Sequence, residues 1–145
     1  MDIAVSIAPS SSDARFDLPA KIATLCTYEN YFGPCHPQTI QVLIVVAGAF
    51  NASGNPVRAR QLLERALKDL DRGRHDPLSD LSIQVRRRLC DLLVEQRDFA
   101  PAAAVQAQIA ECMAARYGSL HAETASARLH LADILFKGGP KCLSA

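Results

Sequence analysis

Apolar residues recur at steps of three and four along most of the chain, which is the spacing of one buried helix face. Between two such runs, Gly54-Asn55-Pro56 combines a helix stop with a proline suited to the first turn of the next helix. The pattern predicts an all-α protein of about six helices, over residues 18–32, 38–53, 56–72, 79–96, 99–117 and 122–138.

The pattern also repeats along the chain. A small residue between large apolar ones occurs at Ala47, again 43 residues later at Cys90, and 42 residues after that at Ala132. The predicted repeat domain spans residues 18–139, with units over 37–72, 79–117 and an incomplete 122–139. We expect residues 1–17, rich in serine and small residues, to form a flexible arm and residues 140–145 to form a short tail.

Small residues come opposite each other in each predicted helix pair, Ala47 against Ala59 and Cys90 against Ala102. Small side chains let antiparallel helices approach closely, so all four are expected to be buried. One pair cannot bury its apolar face alone, and the units are therefore expected to stack into a solenoid.

This arrangement of a small residue, a turn glycine and two alanines resembles the tetratricopeptide repeat. The segments Gly33-Pro34-Cys35-His36-Pro37-Gln38-Thr39 and Gly118-Ser119-Leu120-His121-Ala122-Glu123-Thr124 resemble those of the kinesin light chain subclass. The resemblance covers about residues 18–139 and implies a right-handed solenoid of helical hairpins. Two features depart from it: Arg97 stands where the turn glycine belongs, and Gly73-Arg74-His75-Asp76-Pro77 is out of register. A HEAT or armadillo array is the structural alternative.

In tetratricopeptide arrays the first helix of each pair lines a concave surface that binds extended peptides or helices. By register, the resemblance implies a groove lined by Gln41, Ile44, Val45, Gly48, Asn51, Gln84, Arg87, Arg88, Asp91, Glu95, Ser126, His130, Asp133 and Lys137. Arginine favours carboxylates, so the expected partner is another protein or peptide, possibly an acidic one. Asp91 is also spaced to form ion pairs with both arginines. The subclass often carries asparagine where this chain has Val45, Arg88 and His130, so its peptide specificity is not carried over.

Charge and hydropathy narrow the function further. The 16 basic and 15 acidic residues give a net charge of +1, which argues against a dedicated nucleic-acid binder. The alternative is a regulatory or nucleic-acid-associated helical domain that uses Arg86, Arg87 and Arg88 on phosphate.

The longest apolar run, Val42 to Phe50, is far shorter than the roughly 20 residues that cross a bilayer. The first residues lack a basic secretion-signal region, and we expect a soluble, cytoplasmic protein without a membrane partner.

No catalytic, cofactor or metal site is predicted. The five cysteines are odd in number and have no CxxC spacing, which fits a reducing compartment. His36 and His121 lie two repeats apart, on the order of 20 Å, too far to share an ion. Both precede helices, where an imidazole is expected to bond backbone groups. The neighbours Cys35 and His36 lack a third group to orient them for catalysis.

The third unit has its first helix, but glycines and a proline follow at residues 138–140. Leu131, Leu135 and Phe136 lie where a second helix would pack, which suggests an interface at this end. The hypothesis is a two-fold homodimer through the last helix. The alternatives are that the chain is a fragment of a longer array or that the amino-terminal arm folds across this end.

Overall fold

The structure is a computed structural model that describes residues 14–140 of the chain, with side chains from residue 17 onward. This part forms six helices and no strand: α1 (Ala14–Phe32), α2 (Pro37–Ala52), α3 (Pro56–Arg72), α4 (Asp80–Glu95), α5 (Phe99–Tyr117) and α6 (Ala122–Gly138). The prediction of an all-α chain with six helices is confirmed, and α2 to α6 begin and end within one residue of the predicted positions. No described helix is both long and apolar enough to span a bilayer.

The first helix begins earlier than predicted, at Ala14 rather than at residue 18. Residues 14–17 of the predicted arm are therefore helical, whereas residues 1–13 and residues 141–145 of the predicted tail lie outside the described residues. Pro19 lies inside this helix, although a proline is more usual in the first turn. Since proline has no N–H, one backbone hydrogen bond of α1 is missing at that point.

Histidine side chains cap the starts of α2 and α6. The Nδ1 atoms of His36 and His121 each accept the backbone N–H two residues later, at 3.1 Å in both cases. Their rings stack on Phe32 and Tyr117, with centroids 4.5 and 4.7 Å apart. The predicted backbone role of these two histidines is confirmed.

Three helices end in the same left-handed turn, formed by Gly54, Arg74 and Arg97 with φ of 90°, 55° and 59°. In each turn the next N–H bonds the carbonyl five residues back, as from Asp98 to Leu93 at 2.9 Å. Arg97 therefore adopts the backbone that glycine adopts at residue 54, and the departure from the repeat pattern leaves the turn unchanged.

Each helix packs against the next one along the chain, and α2 also contacts α4. Short loops make neighbours antiparallel: Thr39, near the start of α2, donates to the Tyr28 carbonyl near the end of α1. Helices two apart run parallel, since the ends of α2 and α4 meet where the Asn51 amide donates to Glu95 Oε2 at 3.3 Å. The chain thus forms successive hairpins with corresponding helices side by side.

The four small residues predicted at helix contacts are buried, with Ala47, Ala59, Cys90 and Ala102 at most 2% exposed. This prediction is confirmed. The buried amide of Gln106 joins three helices, because its Oε1 lies 3.5 Å from the Cys90 thiol and its Nε2 donates to the Ala127 carbonyl at 3.0 Å. Polar groups in the core are thus paired across α4, α5 and α6.

Candidate functional site

Three adjoining clefts follow one face of the molecule, and together we call them the central groove. The first, about 540 Å³, lies between α4, the end of α5 and the start of α6. The second lies between α2 and α4, and the third between α4 and α6. Asp91 lines all three clefts, Arg87 lines the first and third, and Arg88 lines the first and second. These residues of α4 form the centre of the groove.

The α4 sequence places these side chains on one exposed stripe. Arg87, Arg88 and Asp91 are exposed, whereas Leu89 and Leu92 turn into the core. Because α4 lies between α2 and α6, its exposed stripe is open to both adjoining clefts.

Neither Arg87 nor Arg88 forms an ion pair with a carboxylate of the described residues. The ion pairs with Asp91 that the helical spacing suggested are not formed, so that interpretation is wrong for this conformation. The nearest polar partner of Arg87 is the Met113 sulfur, 4.0 Å from Nη2. Two guanidinium groups therefore keep their donors available at the centre of the groove.

Arg86 differs from its two neighbours. Its Nε lies 3.4 Å from Gln108 Oε1 on α5, and its Nη1 lies 3.4 Å from the Ser82 carbonyl. The arginine run that looks uniform in the sequence is therefore divided, with Arg86 held against α5 and the other two lining the groove.

One rim of the groove is formed by residues that the repeat register does not point to. Arg116, at the end of α5, forms an ion pair with Asp80 at the start of α4. The hydrogen bond from Arg116 to Asp80 raises the pKa of the guanidinium, which stays charged. Tyr117 and Glu123 line the same cleft. The sequence feature that could have predicted this rim is Arg116-Tyr117, directly before the turn that follows α5. In an antiparallel hairpin the last turn of α5 lies beside the first turn of α4.

The remaining residues assigned to the groove from the sequence occupy several places. Asn51 and Gln84 line it, and so does His130 beside Arg87 and Asp91. Ile44, Gly48, Glu95 and Ser126 are also lining residues.

Gln41 and Val45 line a separate apolar cleft between α1 and α2. Asp133 and Lys137 pair with each other on α6 at 3.1 Å and do not line the three clefts. The groove is thus shorter at both ends than the register implies.

The charges of the groove are mixed in sign. Carboxylates of Glu95 and Glu123 lie on either side of the arginine pair, and Asn51 donates to Glu95. The centre of the groove thus holds two guanidiniums and the Asp91 carboxylate, with Glu95 and Glu123 beside them.

Several thiol and imidazole groups have structural partners. His75 Nε2 lies 2.7 Å from the Cys35 carbonyl and joins the loop before α4 to the loop before α2. Burial, with a smaller effect of the Asp91 charge, raises the pKa of the Cys90 thiol to about 11. That thiol stays protonated near neutral pH and is a poor nucleophile. Within residues 17–140, no three histidine, cysteine or acidic side chains are grouped in a way that could hold a metal ion.

Residues expected at an end interface lie on α6. Leu131 and Leu135 are half-buried against the core, whereas Phe136 is 86% exposed. Leu129 is also exposed, at 72%. A substantial apolar surface of α6 is thus open to solvent.

No protein-family model matches this chain, and no curated protein matches its sequence.

Proposed function

We propose that this chain is a tetratricopeptide-type array whose central groove binds a segment of another protein, and that it catalyses no reaction. The strongest support for this proposal is the position of Arg87 and Arg88. Both lie at the centre of adjoining clefts, and neither forms an ion pair with a carboxylate of the described chain. Parallel corresponding helices and buried small residues at the hairpin contacts support the repeat type.

The chemistry of the groove favours a particular kind of segment. A guanidinium group binds a carboxylate through two parallel hydrogen bonds, and two unpaired guanidiniums favour an aspartate or glutamate at the centre of the ligand. Glu95 and Glu123 would repel further acidic residues on either side. We therefore expect a segment with a central carboxylate and neutral or basic flanks.

The alternative is nucleic-acid binding through Arg86 to Arg88. It would be favoured by three guanidiniums free to contact phosphate, but Arg86 bonds Gln108 and the Ser82 carbonyl. Filter binding of a single-stranded oligonucleotide at rising salt tests this alternative, because contacts to phosphate weaken steeply with salt.

The test of the groove is a selection of peptides from a random display library, followed by calorimetry on the selected peptides. We expect Arg87→Glu/Arg88→Glu to weaken binding by roughly tenfold or more through charge reversal. The matched control is Arg58→Glu/Lys68→Glu, which makes the same change in net charge on exposed positions of α3. Equal affinities in both variants, with unchanged helical content, would refute the groove as the binding site.

A further inference from the structure

Three stripes of residues along α6 differ in what they contact. Thr124, Ala127 and Ile134 are buried. Ser126 and His130 line the central groove. The third stripe, Ala125, Leu129, Ala132 and Phe136, is exposed at every position, and we call it the apolar stripe. Its residues are spaced by four, three and four, which is the spacing of a helix–helix contact seam.

Two of the four corresponding positions of α4 are buried by its neighbours, whereas Arg87 is exposed in the groove and Val94 is half-buried. Moving back 42 residues from Ala125 and Ala132 gives Ile83 and Cys90, which are 5% and 1% exposed. The Cys90 thiol lies 3.6 Å from the Ala102 carbonyl of α5. Neighbouring helices thus cover two of these positions on α4, whereas all four are open on α6 among the described residues.

The other outer helix does not show the same chemistry. The end of α1 and the end of α5 are followed by the same motif: Phe32-Gly33…His36 recurs 85 residues later as Tyr117-Gly118…His121. This match places α1 in register with α5. At the α1 positions that match buried Ala102, Gln106 and Ile109 of α5, the chain has Asp17, Lys21 and Thr24. These three positions of α1 are thus polar, although Ile22, Tyr31 and Phe32 are exposed elsewhere on the same helix.

We infer that the apolar stripe binds the same stripe of a second copy of this chain, with the two α6 helices antiparallel about a two-fold axis. In that pairing Leu129 comes opposite Ala132 of the second copy, and Ala125 opposite its Phe136, so each large side chain meets a small one. The complementarity of size within one helix selects a second copy as the partner.

Sedimentation equilibrium on the full chain over a wide concentration range tests this interface. We expect a dimer, and Leu129→Asp or Phe136→Asp should weaken it by roughly a hundredfold or more through burial of a charge. Both positions are exposed in the single chain, at 72% and 86%, so circular dichroism should show unchanged helicity. The control is Val57→Asp on α3, also an exposed apolar residue, which should leave the dimer intact.

The antiparallel register of the two α6 helices is tested by exchanging the side-chain sizes of Leu129 and Ala132. Ala132→Leu should weaken the dimer because two leucines then oppose each other, and Leu129→Ala/Ala132→Leu should restore it. A parallel dimer would instead be strengthened by Ala132→Leu. A wild-type chain that is monomeric at every concentration would overturn the proposal, as would a dimer indifferent to both aspartate variants. None of these substitutions alters Arg87 or Arg88, so the peptide-binding test can succeed or fail separately.

Discussion

At the scale of single residues, Cys90 and His121 have structural roles in this protein, although cysteine and histidine are residue types often found in catalytic and metal sites. Cys90 fills a contact where the other two units have alanine, at residues 47 and 132. His121 caps α6 with Nδ1 and stacks on Tyr117. Each role has a measurable consequence for stability.

Cys90 is expected to make stability fall in alkaline solution. Its pKa is raised from the ordinary 9.0 to about 11, because burial disfavours the thiolate. The folded state holds this proton more tightly than the unfolded state, so the stabilisation is complete below pH 9 and is lost as pH rises towards 11. We expect wild type to lose roughly 2–3 kcal/mol more than Cys90→Ala across this window. Urea unfolding at several pH values measures the difference, and parallel pH profiles for both proteins would contradict it.

His121 is expected to contribute through its cap. Replacing it with alanine leaves the Glu123 N–H without its side-chain acceptor and should cost about 0.5–2 kcal/mol. His121→Asn keeps an acceptor that is common at this position and should recover most of the loss. Chemical denaturation of the three proteins measures the effect. Equal losses in both variants would assign the contribution to stacking on Tyr117 instead.

At the scale of elements, the close approach of paired helices depends on alanines at their contacts. Ala59 and Ala102 are 1% and 0% exposed, so each side chain is enclosed by the neighbouring helices. The same contacts occur in successive hairpins, so the packing is a property of the repeat and not of one pair.

We expect Ala59→Leu or Ala102→Leu to destabilise the fold by roughly 1–3 kcal/mol through overpacking. Ala104→Leu is the matched control, because Ala104 lies on the same helix as Ala102 but is exposed. Thermal and urea unfolding measure the three variants. An unchanged melting temperature for both buried substitutions would show that the assigned helix register is wrong.

At the scale of the whole molecule, the arrangement of parallel corresponding helices produces two surfaces with different chemistry. The central groove brings residues of α2 to α6 to one face, with charged side chains at its centre and several apolar ones in the cleft between α2 and α4. The apolar stripe lies on another side of α6 and is built from one helix. A ligand in the groove and a second copy on the stripe would therefore contact the chain at different places.

Much of the groove could be anticipated from the repeat, because exposed positions on corresponding helices recur at the same register. Arg87, Arg88 and Asp91 follow this rule. Gln41 does not, since it faces α1 instead, and the Arg116–Asp80 pair joins residues 36 positions apart. No local pattern specifies either arrangement.

The sequence by itself determined the helices and the buried small residues. Both follow from local properties, namely the three- and four-residue spacing of apolar side chains and the prolines and glycines at the turns. For the end interface the sequence pointed to Leu131, Leu135 and Phe136, of which only Phe136 is exposed, so the apolar stripe is defined by the burial of α6 in the structure. The tertiary structure decided that Arg86 contacts α5 while Arg87 and Arg88 stay unpaired, and that Arg97 adopts the left-handed turn of a glycine. These outcomes depend on which side chains of other helices come within bonding distance, and that distance is fixed by packing rather than by separation along the chain.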